Sequence, residues 1–292
     1  MSGFWHRLLL HLSRLAGSWF FSLTARIIAA GFFCIPSRSR ESIRLYRLLF
    51  PDRSGWYHRL CTWYQFQNFT TIHFDRFLLA MNPDSIQYSS TGLEYLQNIK
   101  PEQGAIILQS HLGNWDIAAH LLQKQGLAID LLLYMGIKEK EQLEQQQKAQ
   151  LKDAGIRIIG VGRDGGSPFD GVEGINHLRA GGVVSMTGDM LWQAGQRSVE
   201  VDFLGGKATI PAAPYIFAML TGAPLLPFFA FRTGRATYDF ILHEPITITD
   251  RSRRNREKSM RHAARQYAGL LEKTLREHPF EWYHFDRFVE PP

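Results

Sequence analysis

From Gly104 onward, short apolar runs alternate with helical patterns, and this alternation limits the possible folds more than any other feature of the chain. "GAIILQS" is a strand-type run, "WDIAAHLLQKQG" a helix ended by Gly126, and "LAIDLLLY" another strand. A polar helix, "KEKEQLEQQQKAQLKDAG", leads to the run "IRIIGV". A Gly-rich loop, the helix "GVEGINHLRAG" and the run "GVVSMTGD" follow, and "APLLPFFAFR" and "TYDFILHEPITI" read as further strands. Such a chain is of the α/β class, with a central, mostly parallel sheet flanked by helices. Ligands of such sheets sit beyond the carboxyl ends of the strands, where Ser110–Asp116 and Thr187–Asp189 both fall.

Upstream the text is helical. "SRESIRLYRLLFP" is closed by Pro51, and an aromatic-rich helix runs from about Trp56 to Leu79. Near the C-terminus Met260, Ala263, Ala264, Tyr267, Leu270, Leu271 and Leu275 recur at helical spacing behind a basic start, an amphipathic helix. The net charge of +6 is concentrated at the front. Residues 1–60 carry nine arginines, no lysine, and only Glu41 and Asp52 as acids, so the rest of the chain is about neutral. The apolar stretch "LAGSWFFSLTARIIAAGFFCI", Leu15–Ile35, has the length of a bilayer helix, about 20 residues. Arg26 at its centre costs about 2.5–3.5 kcal/mol on insertion scales, and arginines flank both ends. A shallow hairpin or interfacial helix is therefore expected, with residues 1–50 as a basic, apolar membrane-associated segment and residues 51–292 as the catalytic domain. No small-residue cleavage site of a signal peptide follows. Two cysteines, Cys34 and Cys61, make neither a disulfide framework nor a four-cysteine zinc site. Charge placed beside apolar sequence, without a recognised binding motif, argues against nucleic acid as a partner.

The stretch "SHLGNWD", residues 110–116, sets His111 and Asp116 close together where a buried-type strand ends. Gly113 and Asn114 permit a tight turn that folds Asp116, in the first turn of the next helix, back toward the imidazole. An acid on one ring nitrogen fixes the tautomer and leaves the other nitrogen as a general base. No G-x-S-x-G elbow accompanies the pair, so the fitting chemistry is deprotonation of a bound hydroxyl that then attacks an acyl group. Two other readings stay open on the residues alone. One is a metal-dependent hydrolase using His111, Asp116 and His120, the last two at i, i+4 on one helix face; the other is a polar turn with no chemistry.

"SHLGNWDIAA" resembles the H-x4-D/E block of the lipid A late acyltransferases, the lauroyl/myristoyl transferase group within the wider glycerolipid acyltransferase superfamily. "LRAGGVVSMTGD", followed by "VDFLGGKATIPAAPYIFAMLTGAPLLPFFAFR", is similar in order and spacing to the middle blocks of that family, "EWYHFDRF" to its closing cluster and "LLFPDRS" to its N-terminal part. The resemblance implies transfer of a fatty acyl group from an acyl thioester, on acyl carrier protein or coenzyme A, to a hydroxyl of a lipid acceptor. The acceptor would be a lipid A precursor or another amphiphilic lipid, the place the cytoplasmic face of the inner membrane, and neither metal nor organic cofactor would take part. His111 would be the base and Asp116 its orienting acid. Asn114, Asp189, Gly205, Gly206, Lys207 and Thr209 would line the substrate site, with backbone N–H groups near the glycines holding the oxyanion. Arg232 and Arg163 would meet a phosphate. After "LLLYM" the family places an arginine-containing R-P-x-x-N segment where this chain reads "MGIKEKEQ", and Lys138 or Lys140 there lacks the bidentate fork of arginine.

Overall fold

The computed structural model describes residues 18–81, 85–100, 102–122, 130–136, 156–161, 168–193 and 195–290. The chain divides into two compact units, one formed by the stretch up to Gln87 with His278–Arg287, the other by Tyr88–Glu277 with Phe288–Pro292.

The first unit is helical. Helix α1 (Ser18–Phe33) ends just before Pro36, which opens α2 (Pro36–Leu49) at its first turn, where its missing N–H costs nothing. Helix α3 (Gly55–Met81) packs against both. Ala25 and Ala29, one turn apart on α1, are buried and let the backbones approach, and the Thr70 hydroxyl donates to the Ala25 carbonyl at 3.2 Å. The larger residues Leu23, Ile27 and Ile28 are left exposed, Ile27 to 63%. The C-terminal segment is tied in by polar and aromatic contacts: the Tyr46 hydroxyl donates to Pro279 O at 2.9 Å, Gln65 Nε2 donates to Trp282 O, and the Phe285 ring meets Phe66 and Phe69. Among the described residues no helix is long and apolar enough to cross a membrane.

The second unit holds the expected sheet. Its strands are β1 (Gln87–Thr91), β2 (Ala105–Gln109), β3 (Leu131–Gly136), β4 (Arg157–Val161), β5 (Val183–Thr187), β8 (Leu225–Gly234) and β9 (Thr237–Leu242), in the order β1-β9-β8-β2-β5-β3-β4. The five strands from β8 to β4 are mutually parallel, and β9 returns antiparallel to β8. Strands β2 and β5 are buried along their whole length, which is why they read as unbroken apolar runs. The short helix α4 (Leu93–Gln97) precedes β2; α5 (Trp115–Leu122), α6 (Pro168–Arg179) and α7 (Ala213–Thr221) pack on the sheet. The polar helix expected before β4 lies outside the described residues.

A second sheet stands apart from the sequence expectations. Strands β6 (Ser198–Phe203) and β7 (Gly206–Pro211) form a hairpin, and the two-residue β10 (Val289–Glu290) adds to β7, all antiparallel. Along β6, Val199, Val201 and Phe203 alternate with exposed neighbours and face α8 (Arg256–Glu277). Helix α8 buries Met260, Ala263, Ala264, Tyr267, Leu271 and Leu275 as its spacing predicts, with Leu270 only half-buried.

Phe229, on β8, is fully buried, whereas Val172 on α6 is 52% exposed. Phe229→Ala is expected to cost about 3–5 kcal/mol and Val172→Ala less than about 0.5 kcal/mol, measured by denaturant unfolding of the whole chain.

Candidate active site

The site starts from strand register. Gln109 and Thr187 are the last partners of β2 and β5, and the ladder continues one step further, with the Gly188 N–H donating to Gln109 O at 2.7 Å. Both chains therefore leave the sheet side by side at the same level, Ser110–His111 from one strand and Gly188–Asp189 from the other. The buried Asp189 carboxylate then meets His111 twice. The His111 backbone N–H donates to Asp189 Oδ2 at 2.7 Å, and ring Nδ1 lies 3.1 Å from Oδ1 and 3.3 Å from Oδ2. A carboxylate only accepts, so Nδ1 carries the proton and Nε2 is the basic nitrogen of the neutral ring. Asp189 has no exposed side-chain surface, while the imidazole keeps 22%.

Gly188 is required here. A Cβ at this position would lie 2.6 Å from the ring of Tyr267, which rises from α8 beneath the two strand ends. The Tyr267 hydroxyl donates to Gln109 O at 3.3 Å, the same carbonyl that takes the Gly188 N–H. Burial first, and then the Asp189 charge, push the phenol well above its ordinary range, so it stays a donor.

The turn after His111 is bound to the neighbouring strand. Gly113 has φ +80°, a region that favours glycine, and a Cβ there would fall 2.3 Å from Ala230 O. The Asn114 N–H donates to that same oxygen at 2.7 Å. Asn114, expected to contact substrate, is fully buried with Nδ2 directed to the Tyr238 hydroxyl at 3.3 Å. Asp116 is buried in the first turn of α5.

Other expected residues are distributed more widely. Arg232 lies on β8 two residues beyond Ala230, half-buried, at the same end of the sheet as His111. Gly205, Gly206, Lys207 and Thr209 belong to the β6–β7 hairpin. Gly205 turns it at φ +77°, and at Gly206 a Cβ would fall 2.2 Å from Glu290 O of the added strand. Lys207 is exposed and paired with Asp202 and Glu200, and Thr209 is exposed opposite Glu200. Arg163, Lys138 and Lys140, and the side chain of His120, lie outside the described residues. Among the described residues no three His, Cys, Asp or Glu side chains form a group that could hold a metal ion.

Two features escaped the sequence reading. Asp189, expected only to line the site, is in direct contact with the catalytic candidate. Trp192, three residues further on, stands with its ring centroid 6.1 Å from that of His111. The strand-end position of Asp189 was legible; its contact with His111 needed the order of strands, which places β2 beside β5. The basic segment that precedes α8 lies at the other end of the sheet: Arg251 Nη1 is 2.7 Å from where a Cβ on Gly222 would be, and Gly222 leads into β8.

With this geometry in view, a family profile described as "Bacterial lipid A biosynthesis acyltransferase" matches residues 12–288. Two curated relatives are similar, both phosphatidylinositol mannoside acyltransferases of Mycobacterium tuberculosis, from strains ATCC 25618 / H37Rv and CDC 1551 / Oshkosh. Each is 24% identical over 181 residues, 62% of this chain and 52% of the relative. The chain therefore spans about half the length of the curated relatives it matches.

Both groups that Asp189 meets on His111 are donors, and an amide cannot accept from both with its nitrogen. Asp189→Asn is expected to destabilise the fold by about 1–3 kcal/mol and to mix the His111 tautomers. Denaturant unfolding and nitrogen-15 spectra of the imidazole check the two effects.

Proposed function

Because the chain belongs to the bacterial lipid A biosynthesis acyltransferase family, we propose that it moves a fatty acyl group from an acyl thioester to a hydroxyl of a membrane lipid. The observation that carries the reading is the Asp189 carboxylate on Nδ1 of His111, at the carboxyl ends of parallel strands. It makes Nε2 the base and provides a counter-charge for the imidazolium that forms.

The step follows from those atoms. Nε2 takes the proton of the acceptor hydroxyl as the oxygen bonds to the thioester carbonyl carbon, whose electron pair moves to the carbonyl oxygen. The tetrahedral intermediate collapses, the C–S bond breaks, and the imidazolium returns the proton to the leaving thiolate. Ester and free thiol are the products, and no group of the protein is acylated. The proposed His/Asp pair is His111 with Asp116 as an orienting acid, beside the Asp189 carboxylate, and Arg232, at the same end of the sheet, is proposed to meet a phosphate of acceptor or donor. Acyl carrier protein is the proposed donor, coenzyme A its alternative. The acceptor is proposed to be an amphiphilic lipid: the family description names lipid A, and the relatives' names phosphatidylinositol mannoside.

A lipid acceptor brings the reaction to a membrane, and the place proposed is the cytoplasmic face of the inner membrane. The exposed Leu23, Ile27 and Ile28 beside Arg26 on α1 support surface attachment through the N-terminal segment, as does Trp56, 75% exposed at the start of α3.

His111→Ala should lower kcat for transfer from acyl carrier protein thioesters to vesicle-borne lipid by about 10²–10⁴-fold; near-normal turnover would remove His111 from the mechanism. Replacing Ile27 and Ile28 together by serine is expected to reduce the fraction sedimenting with anionic vesicles, and an unchanged fraction would count against attachment through α1.

A further inference from the structure

Trp192 forms a side of the site that proton transfer does not use. It follows Asp189 on the segment leaving β5, but its indole rests on another strand. The ring lies on the backbone of Gly136, the last residue of β3, so closely that a Cβ there would fall 2.0–2.4 Å from Cε3, Cζ3 and Cδ2. The main chain is fixed as well, the Trp192 N–H donating to Gln196 Oε1 at 2.8 Å. The indole and imidazole planes are inclined by 54°. Trp192 is only half-buried, so a large apolar ring is held in place while part of it still faces solvent beside the base.

The chemistry of the step indicates what covers that ring. For His111 to act, the thioester carbonyl carbon must sit about 3–3.5 Å from the oxygen that Nε2 deprotonates. The methylenes next to the carbonyl then start within reach of a ring as near to the imidazole as Trp192. A cationic ligand is disfavoured there, because the imidazole becomes positively charged during the reaction. We propose that Trp192, seated on Gly136, is the wall against which the aliphatic chain of the acyl donor lies, which makes both residues determinants of donor binding. The inference rests on the acyl-transfer reading. It goes beyond it by assigning an acyl-chain contact to residues that neither the H-x4-D block nor the hairpin contains.

The probe is a long-chain S-alkyl thioether of acyl carrier protein, the proposed donor, which carries the chain and cannot transfer it, titrated calorimetrically into the full chain. Trp192→Ala is expected to weaken binding about tenfold, equivalent to about 1.4 kcal/mol, because the methylenes lose their apolar partner. Trp192→Phe should retain most of the affinity, and Gly136→Ala, which unseats the indole, should behave like Trp192→Ala. In turnover the loss falls on the KM for the donor rather than on kcat. Trp192→Ala binding the thioether as tightly as the wild type overturns the proposal, as does a wild type that does not bind it. Should Gly136→Ala fail to fold by circular dichroism, Trp192→Ala, which only removes atoms, decides alone. Failure of the functional reading looks different: the wild type binds the thioether in a Trp192-dependent way yet transfers no acyl group to any lipid.

Discussion

The structure of the site depends on one buried carboxylate. Asp189 is withdrawn from water, and an isolated charge so placed costs several kcal/mol unless donors meet it. The His111 backbone N–H and Nδ1 supply them. The same contact that makes the charge tolerable therefore decides which imidazole nitrogen is basic. It also requires that β2 and β5 be neighbours, parallel, and of matched length, because a slip of one residue would turn Asp189 to the opposite face.

Around that contact the site is shaped by positions without side chains. Gly188 admits the Tyr267 ring under the strand ends, Gly113 brings the His111 turn against Ala230 O, and Gly136 is the seat of Trp192. At each, a Cβ would fall within 2.6 Å of backbone or of a ring already packed in place, so the close approach itself demands glycine. Three neighbours of the parallel sheet, β8, β5 and β3, are thereby brought close to the residues that follow β2. Tyr267 adds the support from below, a phenol kept protonated by burial and donating into the strand ladder.

Much of the fold was legible because burial leaves a one-dimensional trace. Strands covered on both sides read as uninterrupted apolar runs, and α8 buries nearly the residues its spacing predicts. His111 was legible for the same reason, as the polar residue that follows such a run. The β6–β7–β10 sheet was not, since β10 contributes two residues from the far end of the chain, and no local pattern records such a pairing. Glycines 205 and 206 were placed near an oxyanion by the resemblance alone; the strand that approaches Gly206 adds a local reason for its missing side chain.

By itself, the sequence determined the α/β class, the strand that delivers His111, the turn that follows it and the family. These rest on hydrophobic periodicity and short-range spacing, which are local quantities. Only the tertiary structure decided that Asp189, 78 residues away, holds the imidazole, and that Trp192 lies on Gly136 beside it. Those contacts follow from strand order and register, and both are set by how distant segments share one core.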